Sequence, residues 1–548
     1  MKHSALALLL CTALAACSGN KADGPLLEDV ASDTALAFAY ANGGTGAFRV
    51  REIIGGGAAL LDFDGDGDLD VYLVQGQAGD GAPPGNALFL NRLVEDGELR
   101  FERLAGNAAD EGYGIGVAVA DVDADGDPDL LVTNVGEDRF YRNDSGRFTA
   151  APGNWGMAGN GWSTSASFCD YDRDGDVDLY VAAYLELPED EEPECRHSTG
   201  RQDYCSPAAF DFAADRLWRN DGTSAEPRFV DASREAGVAL TTRPALGVVC
   251  ADLNADGWPD FYVANDREPN RLWINRGDGS FEDEGLERGA ALNASGLAEA
   301  SMGVAILDRD ADGDLDLFVT HFDPETNTYY ENDGQGRFTD ATARLGLAAS
   351  STGYTGWGTG ALDANGDGRP DLFVANGGVL AQADRLGLSD FPYEQVDQLF
   401  LNARDQYTAL ALETGLRTGR GAAFGDVDND GDHDVLVVNN SGPVNLLLNT
   451  SPVRSKRLIL LPVDSQGRVV DHAAVTVAAP GMPLQRQHVH RDGSYLSASD
   501  SRLVFAVGSA SSVAARVEWP DGSAESWQLE PGLNVQWLQK GQGRADAP

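Results

Sequence analysis

The chain alternates short apolar runs with polar turns, and patterns of helical period are scarce. Gly57-Ala58-Ala59-Leu60-Leu61, Gly116-Val117-Ala118-Val119-Ala120 and Gly303-Val304-Ala305-Ile306-Leu307 each lead into an acidic stretch. A second run follows, such as Val71-Tyr72-Leu73-Val74 or Leu317-Phe318-Val319-Thr320. Runs this short between turn signals read as buried strands. A third run ends in Asn seven times, at Asn91, Asn143, Asn220, Asn275, Asn332, Asn402 and Asn449. A Gly-rich turn and an aromatic residue then open a fourth element, as in Gly279-Ser280-Phe281 and Gly336-Arg337-Phe338-Thr339-Asp340. Four short strands at a period of roughly 50 to 60 residues mark a β-propeller blade. Seven repeats predict an all-β, seven-bladed propeller.

The acidic stretch between the first two strands of each repeat carries the chemistry. Its nine residues hold side-chain oxygens at positions 1, 3, 5 and 9 and glycine at 6, the pattern of a calcium loop of EF-hand type. Strands flank it where an EF-hand has helices. The predicted side-chain ligands are Asp62, Asp64, Asp66 and Asp70 in the first loop and Asp121, Asp123, Asp125 and Asp129 in the second. Asp170, Asp172, Asp174 and Asp178 follow, then Asp252, Asn254, Asp256 and Asp260, and Asp308, Asp310, Asp312 and Asp316. Asp363, Asn365, Asp367 and Asp371, and finally Asp426, Asp428, Asp430 and Asp434, complete the set. Position 7 is Asp68, Asp127, Asp176, Trp258, Asp314, Arg369 or Asp432. A position that accepts Trp and Arg is expected to offer its main-chain carbonyl.

Charge agrees with this. The formal net charge is −47, and the seven loops together hold 31 Asp. About seven calcium ions are expected, and their binding should be part of the folding free energy. The remaining negative charge argues against nucleic acid and against lying flat on an anionic membrane.

Met1-Lys2-His3, the apolar Ala5–Ala16 and Leu14-Ala15-Ala16-Cys17 read as an export signal over residues 1–16. The last four residues resemble a bacterial lipobox, which implies lipidation of Cys17, a tether over 17–26, and sorting to the outer membrane, on its periplasmic side or at the cell surface. Leu27-Glu28-Asp29-Val30-Ala31 copies the fourth-strand pattern that the seventh repeat lacks. It is therefore expected to close the ring, giving a propeller over 27–452. Insertions lengthen repeats 3 and 6. Within the first of these, Cys195 and Cys205 are expected to form a disulfide. Cys169 and Cys250 stand one and two residues before their loops, so their side chains should point to different faces; two buried thiols are favoured over a bridge. From about 453 to 541 the repeat gives way to five apolar runs predicted to form a small β-sandwich, with a tail over 542–548. His488 and His490 alternate on one of its strands, a spacing that suits a solvated face better than a transition-metal site.

The repeats resemble the FG-GAP/VCBS proteins. The mature chain is similar to the cartilage acidic protein family on three stretches. These are Glu52 with Gly55-Gly56-Gly57-Ala58; Cys195 with Tyr204-Cys205-Ser206-Pro207; and Gly493-Ser494-Tyr495-Leu496-Ser497 with Phe505-Ala506-Val507-Gly508 and Trp519-Pro520-Asp521-Gly522. The last set resembles an ASPIC/UnbV domain. The resemblance implies calcium-dependent extracellular binding modules with no established reaction.

A ligand face is expected opposite the calcium loops. Tyr113, Trp162, Arg243, Trp357 and Arg420 enter the first strands there, and Asn134, Asn265, His321 and Asn376 leave the second. Aromatic, amide and guanidinium groups around a depression suit a protein or carbohydrate ligand. The expected function is a surface-anchored, non-catalytic binding scaffold with no catalytic residue. The alternatives are a calcium-dependent polysaccharide lyase or hydrolase, and a structural accessory subunit of an outer-membrane complex.

Overall fold

The computed structural model describes residues 26–77, 85–110, 112–188, 192–196, 200–223, 225–380, 392–452 and 455–545. The signal, Cys17 and nearly all of the tether lie outside them. Seven four-stranded antiparallel blades are present, each running first to fourth strand in chain order except the last. The first strands are Ala58–Leu61, Tyr113–Ala120, Gly161–Cys169, Ala245–Ala251, Ser301–Leu307, Gly356–Leu362 and Gly419–Gly425. Each packs against the next, and the last against Ala58–Leu61, so the wheel closes around a central channel. Between neighbouring blades lie apolar layers, such as Leu60, Val71 and Phe89 with Ala423 and Leu436. Blades 2 and 3 are further joined by pairing of Gly161 with Gly136 and Trp162 with Val135.

The fourth strand of the last blade is Leu27–Asp29, paired with Asn445–Asn449 through Leu27↔Asn449 and Asp29↔Leu447. This pairing protects an edge that would otherwise present unpaired backbone groups. Leu27 is buried beside Leu399, Leu412 and Leu447. Leu27→Asp should therefore cost about 3 kcal/mol by placing a carboxylate in an apolar layer and loosening the closing strand. Urea unfolding in calcium measures it; an unchanged midpoint would mean the strand does not hold the ring.

The C-terminal region forms two sheets. One holds Arg457–Val463 between Leu503–Ala506 and the parallel Gly532–Gln539. The other orders Gln485–His488, Ala474–Ala478, Val513–Glu518, Ala524–Leu529 and Arg544–Ala545. Their shared core includes Leu458, Leu460, Val475, Val477, Phe505 and Trp519.

One segment of this region leaves it. Asp492–Asp500 enters the channel and is hydrogen-bonded to the first strand of every blade. Leu60 N–H donates to the Ala498 carbonyl (3.1 Å) and Val117 N–H to the Leu496 carbonyl (3.0 Å). Leu496 N–H donates to Ser165 Oγ (3.0 Å), Cys250 N–H to Asp492 Oδ2 (2.8 Å) and Val304 N–H to the Ser494 carbonyl (2.9 Å). Thr359 N–H donates to Ser494 Oγ (3.2 Å), and Asp500 N–H to the Phe424 carbonyl (2.9 Å). Inner strands at a channel have backbone groups with no sheet partner, and the plug supplies partners for some of them. Close approach demands small residues. A Cβ on Gly57 would stand 1.7 Å from the Leu496 carbonyl oxygen.

Candidate metal centres

The nine-residue loops sit at the end of the wheel where the C-terminal region docks. Glycine at position 6 has φ between +79° and +103° in all seven, a backbone that side chains rarely adopt (Gly67, Gly126, Gly175, Gly257, Gly313, Gly368 and Gly431). Its N–H donates to one oxygen of the position 1 aspartate every time, at 2.8 to 3.1 Å. The other oxygen of Asp121, Asp170 and Asp426 is buried without a hydrogen-bond partner, as are single oxygens of Asp66 and Asp123. Buried carboxylate oxygens ordinarily find donors, so these orphans are what a cation would satisfy. Ligand atoms of Asp62, Asp64 and Asp66 lie within 4.8 Å of one another, as do those of Asp121, Asp123 and Asp129 and of Asp170, Asp172 and Asp178. The residues present fit a hard, oxygen-liganded ion such as calcium.

Position 9 has a second duty. Asp70 accepts from Phe63 N–H (2.9 Å) with one oxygen and from Asn91 N–H (2.8 Å) with the other. Asp129, Asp178, Asp260, Asp371 and Asp434 repeat this double clamp in their blades. In the fifth blade Asp316 accepts instead from Asn332 N–H and the Tyr329 hydroxyl. The asparagines that end each third strand thus anchor the loops. They also tie neighbours together. Asn91 Nδ2 donates to the Val427 carbonyl, Asn143 to Phe63, Asn275 to Tyr171 and Asn332 to Leu253, each acceptor lying in the preceding blade's loop. Position 7 side chains are partly occupied outside the loops, though one oxygen each of Asp68 and Asp432 is also buried without a partner. Asp68 accepts from Val94 N–H, Asp127 from Ser145 N–H, Asp432 pairs with Arg457, and Trp258 lies under Arg173.

With carboxyls this crowded, burial first and like-charged neighbours after it raise their pKa values, against the smaller lowering by backbone N–H groups and nearby arginines. Asp62, Asp121, Asp170, Asp308 and Asp363 are pushed to about 6, and Asp70, Asp129 and Asp371 to about 8.

The expected ligand face opposite the loops is not an open surface, and this reading is corrected. The segment around Val50–Ile54 and the blade 3 insertion cover it, burying Trp162, Trp357 and Tyr495 in one apolar cluster. Trp162 stands edge-on to Tyr184, and Trp357 Nε1–H donates to the Gly377 carbonyl (2.8 Å). Arg420 is fully buried, donating to the carbonyls of Ile53, Gly377, Gly378 and Gly419, with its guanidinium 4.0 Å from the Trp357 ring centre. Arg243 is half-buried and paired with Asp283, and the half-buried Tyr113 donates to the Asn42 carbonyl. The amides cap strand ends. Asn134 donates to Asp110, Asn265 to the Pro269 carbonyl and Asn376 to the Val396 carbonyl, while His321 is held by Ser301 and the Thr326 carbonyl. The amide donors serve backbone and side-chain acceptors at the channel mouth, while Trp162 Nε1 and the Oδ1 atoms of Asn134, Asn265 and Asn376 are buried without a hydrogen-bond partner.

Two further readings change. Cys169 and Cys250 are joined as a disulfide with Cα atoms 6.4 Å apart, because the inner strands of blades 3 and 4 converge at the plug. Cys195 and Cys205 are also joined. His488 and His490 line a cavity of about 490 Å³ between the acidic loops of blades 5 and 6 and the C-terminal region, where a free solvated face was expected. Burial and the cationic neighbour Arg486 push the His488 imidazole down to about 3.

Comparison with known proteins finds matching repeats and a matching domain. Residues 62–132, 121–181, 252–319 and 308–374 match the FG-GAP-like repeat, and residues 471–545 match ASPIC and UnbV. The chain is 24% identical over 311 residues to human cartilage acidic protein 1 and 24% identical over 303 residues to its mouse counterpart. Those matches cover 55% and 54% of this chain but only 44% and 45% of the relatives. Among solved structures, the BP39L lectin from Burkholderia pseudomallei aligns over 73% of this chain and 97% of its own at 11% identity and TM-score 0.44. An Agrocybe aegerita lectin aligns over 70% and 86% at 17% identity and TM-score 0.39. The chain thus carries FG-GAP-like repeats within residues 62–181 and 252–374 and an ASPIC and UnbV match over 471–545, and over about half its length it is similar to cartilage acidic protein 1.

Proposed function

We propose that this protein is a calcium-stabilised, non-catalytic binding scaffold, tethered to the outer membrane through lipidated Cys17, that takes a protein or carbohydrate ligand. About seven calcium ions hold the loops. Recognition moves from the capped face to the cavity of about 490 Å³ between the loops and the C-terminal region. The observation that carries this is a pair of arginines in the cavity lining, Arg309 and Arg486, whose buried Nε atoms have no hydrogen-bond partner. Two guanidinium Nε donors that make no hydrogen bond, Arg486 Nε standing 4.0 Å from Asp308 Oδ2, suit an oxygen-rich group, such as a sugar hydroxyl or carboxylate or an acidic side chain. Neither matched family description names a reaction.

The full, calcium-loaded chain is to be screened against immobilised glycans and acidic peptides. Substituting Arg309→Ala together with Arg486→Ala should weaken any hit at least about tenfold, because buried charge-assisted hydrogen bonds are worth about 1.5–3 kcal/mol each. Unchanged affinity would remove the cavity from the reading. Release of unsaturated products from an acidic polysaccharide would overturn the non-catalytic assignment.

A further inference from the structure

Where the plug enters the channel, three donor atoms from two parts of the fold come together. Cys169 and Cys250, at the ends of the inner strands of blades 3 and 4, are almost fully buried. A sulfur from each and a ring nitrogen of His472, from the C-terminal region, lie within 4.8 Å of one another. His472 is held from its backbone, its N–H donating to the Val489 carbonyl (2.7 Å). Its Nε2 is buried with no hydrogen-bond partner. A buried imidazole nitrogen without a partner is uncommon and points to something this site accepts. The surroundings are fixed as well. Asp492, on the plug, accepts from the Cys250 N–H and from the Ser167 hydroxyl, locking the strand that carries one sulfur to the segment beside His472.

We propose that Cys169, Cys250 and His472 form a redox-gated site for a thiophilic, closed-shell cation, Zn(II) or Cu(I), that staples the C-terminal region to the propeller. Two sulfurs and one imidazole are the donor set such ions prefer; tetrahedral coordination places donors roughly 3.5 Å apart, so the two sulfurs, bonded to each other in the oxidised chain, must move apart once reduced. Cys169 and His472 also line a second, larger cavity of about 740 Å³, which leaves the fourth position to water or a ligand. In the oxidised chain the sulfurs bond each other and the site is closed. A dithiol reductant opens it by delivering two electrons and two protons to the S–S bond, itself leaving as a cyclic disulfide. Zn(II) then displaces the two thiol protons as it binds. This proposal is independent of the ligand cavity above, since none of its three donor residues lines that cavity.

The test uses the full chain, saturated with calcium so that the acidic loops do not compete. A Cys195→Ser/Cys205→Ser variant leaves a single disulfide to open. After reduction with a phosphine, desalting without oxygen and counting of two free thiols more than before reduction, Co(II), Zn(II) and Cu(I) are titrated in turn. One equivalent is expected to bind the reduced protein and none the oxidised, with Co(II) showing thiolate charge transfer and a tetrahedral spectrum. His472→Ala should weaken Zn(II) binding roughly tenfold or more, as loss of a ligand does at least what loss of its supporting partner does. X-ray absorption of the Zn(II) or Cu(I) form of the unsubstituted site should show two sulfurs and one nitrogen, and so decides the matter even if the His472 variant fails to fold. No stoichiometric uptake with both thiols free, equal affinity in the His472 variant, or a shell without sulfur would each overturn the proposal.

Discussion

Removing calcium with a chelator should lower the melting temperature of the full chain by at least about 10 °C near pH 8, and by far less near pH 5. An ion that binds only the folded state at about a thousandfold over its Kd stabilises by about 4 kcal/mol per site, and seven such sites rival the whole stability of an ordinary domain. The pH dependence follows from the raised carboxyls. In the ion-free wheel Asp70, Asp129 and Asp371 hold their protons to about 8, and Asp62 and Asp121 to about 6. The same groups ionise near about 4 in the unfolded chain. Between those values the unfolded state binds fewer protons, so the stability of the ion-free protein falls as pH rises through the window. Calcium neutralises the carboxylates and removes the fall. Differential scanning calorimetry with and without chelator across that range measures the widening gap. A gap that is absent, or that narrows as pH rises, would reject the loops as the source of cohesion.

Displacing the plug should divide one cooperative unit into two. Tyr495 is fully buried, edge-on to Trp357 at 5.0 Å, and its hydroxyl donates to the Ile54 carbonyl. Tyr495→Ala should cost about 3–5 kcal/mol, the range for emptying an aromatic site in a packed core. Gly57→Ala attacks the same contact from the propeller side, where the added methyl would stand 1.7 Å from the Leu496 carbonyl. The nearest atoms the methyl would meet all belong to Leu496, which is not part of the sandwich core. The wild-type chain in calcium should melt in one transition, and Gly57→Ala in two, with faster hydrogen exchange at Val117 and Leu60, whose amides bond the plug. A single transition at the wild-type temperature would show that the plug does not couple the two parts.

The loops were legible because their chemistry is local. Asp at positions 1 and 9 and glycine at 6 recur inside nine residues, and the bonds that shape each turn run among those same residues. The closing strand was legible for a related reason, since Leu27-Glu28-Asp29 repeats a pattern found in other blades. The asparagines ending the third strands were visible as a constant residue, yet their bridging role was not, because the acceptor of Asn91 lies 336 residues away. The nine residues assigned to a ligand face show the opposite failure. Amide, aromatic and guanidinium groups look alike in sequence whether they meet a ligand or a strand end, and only the cover over the channel mouth decides between them.

The one-dimensional chain determined the repeating hairpins, their acidic turns, the sevenfold count and the ring's closure, because alternation, turn glycine and ligand spacing act over a few residues. Three-dimensional packing alone decided that Asp492–Asp500 fills the channel, that Cys169 meets Cys250 beside His472, and that the cavity opens on the loop side. Those outcomes depend on where distant inner strands converge, a distance that no local pattern encodes.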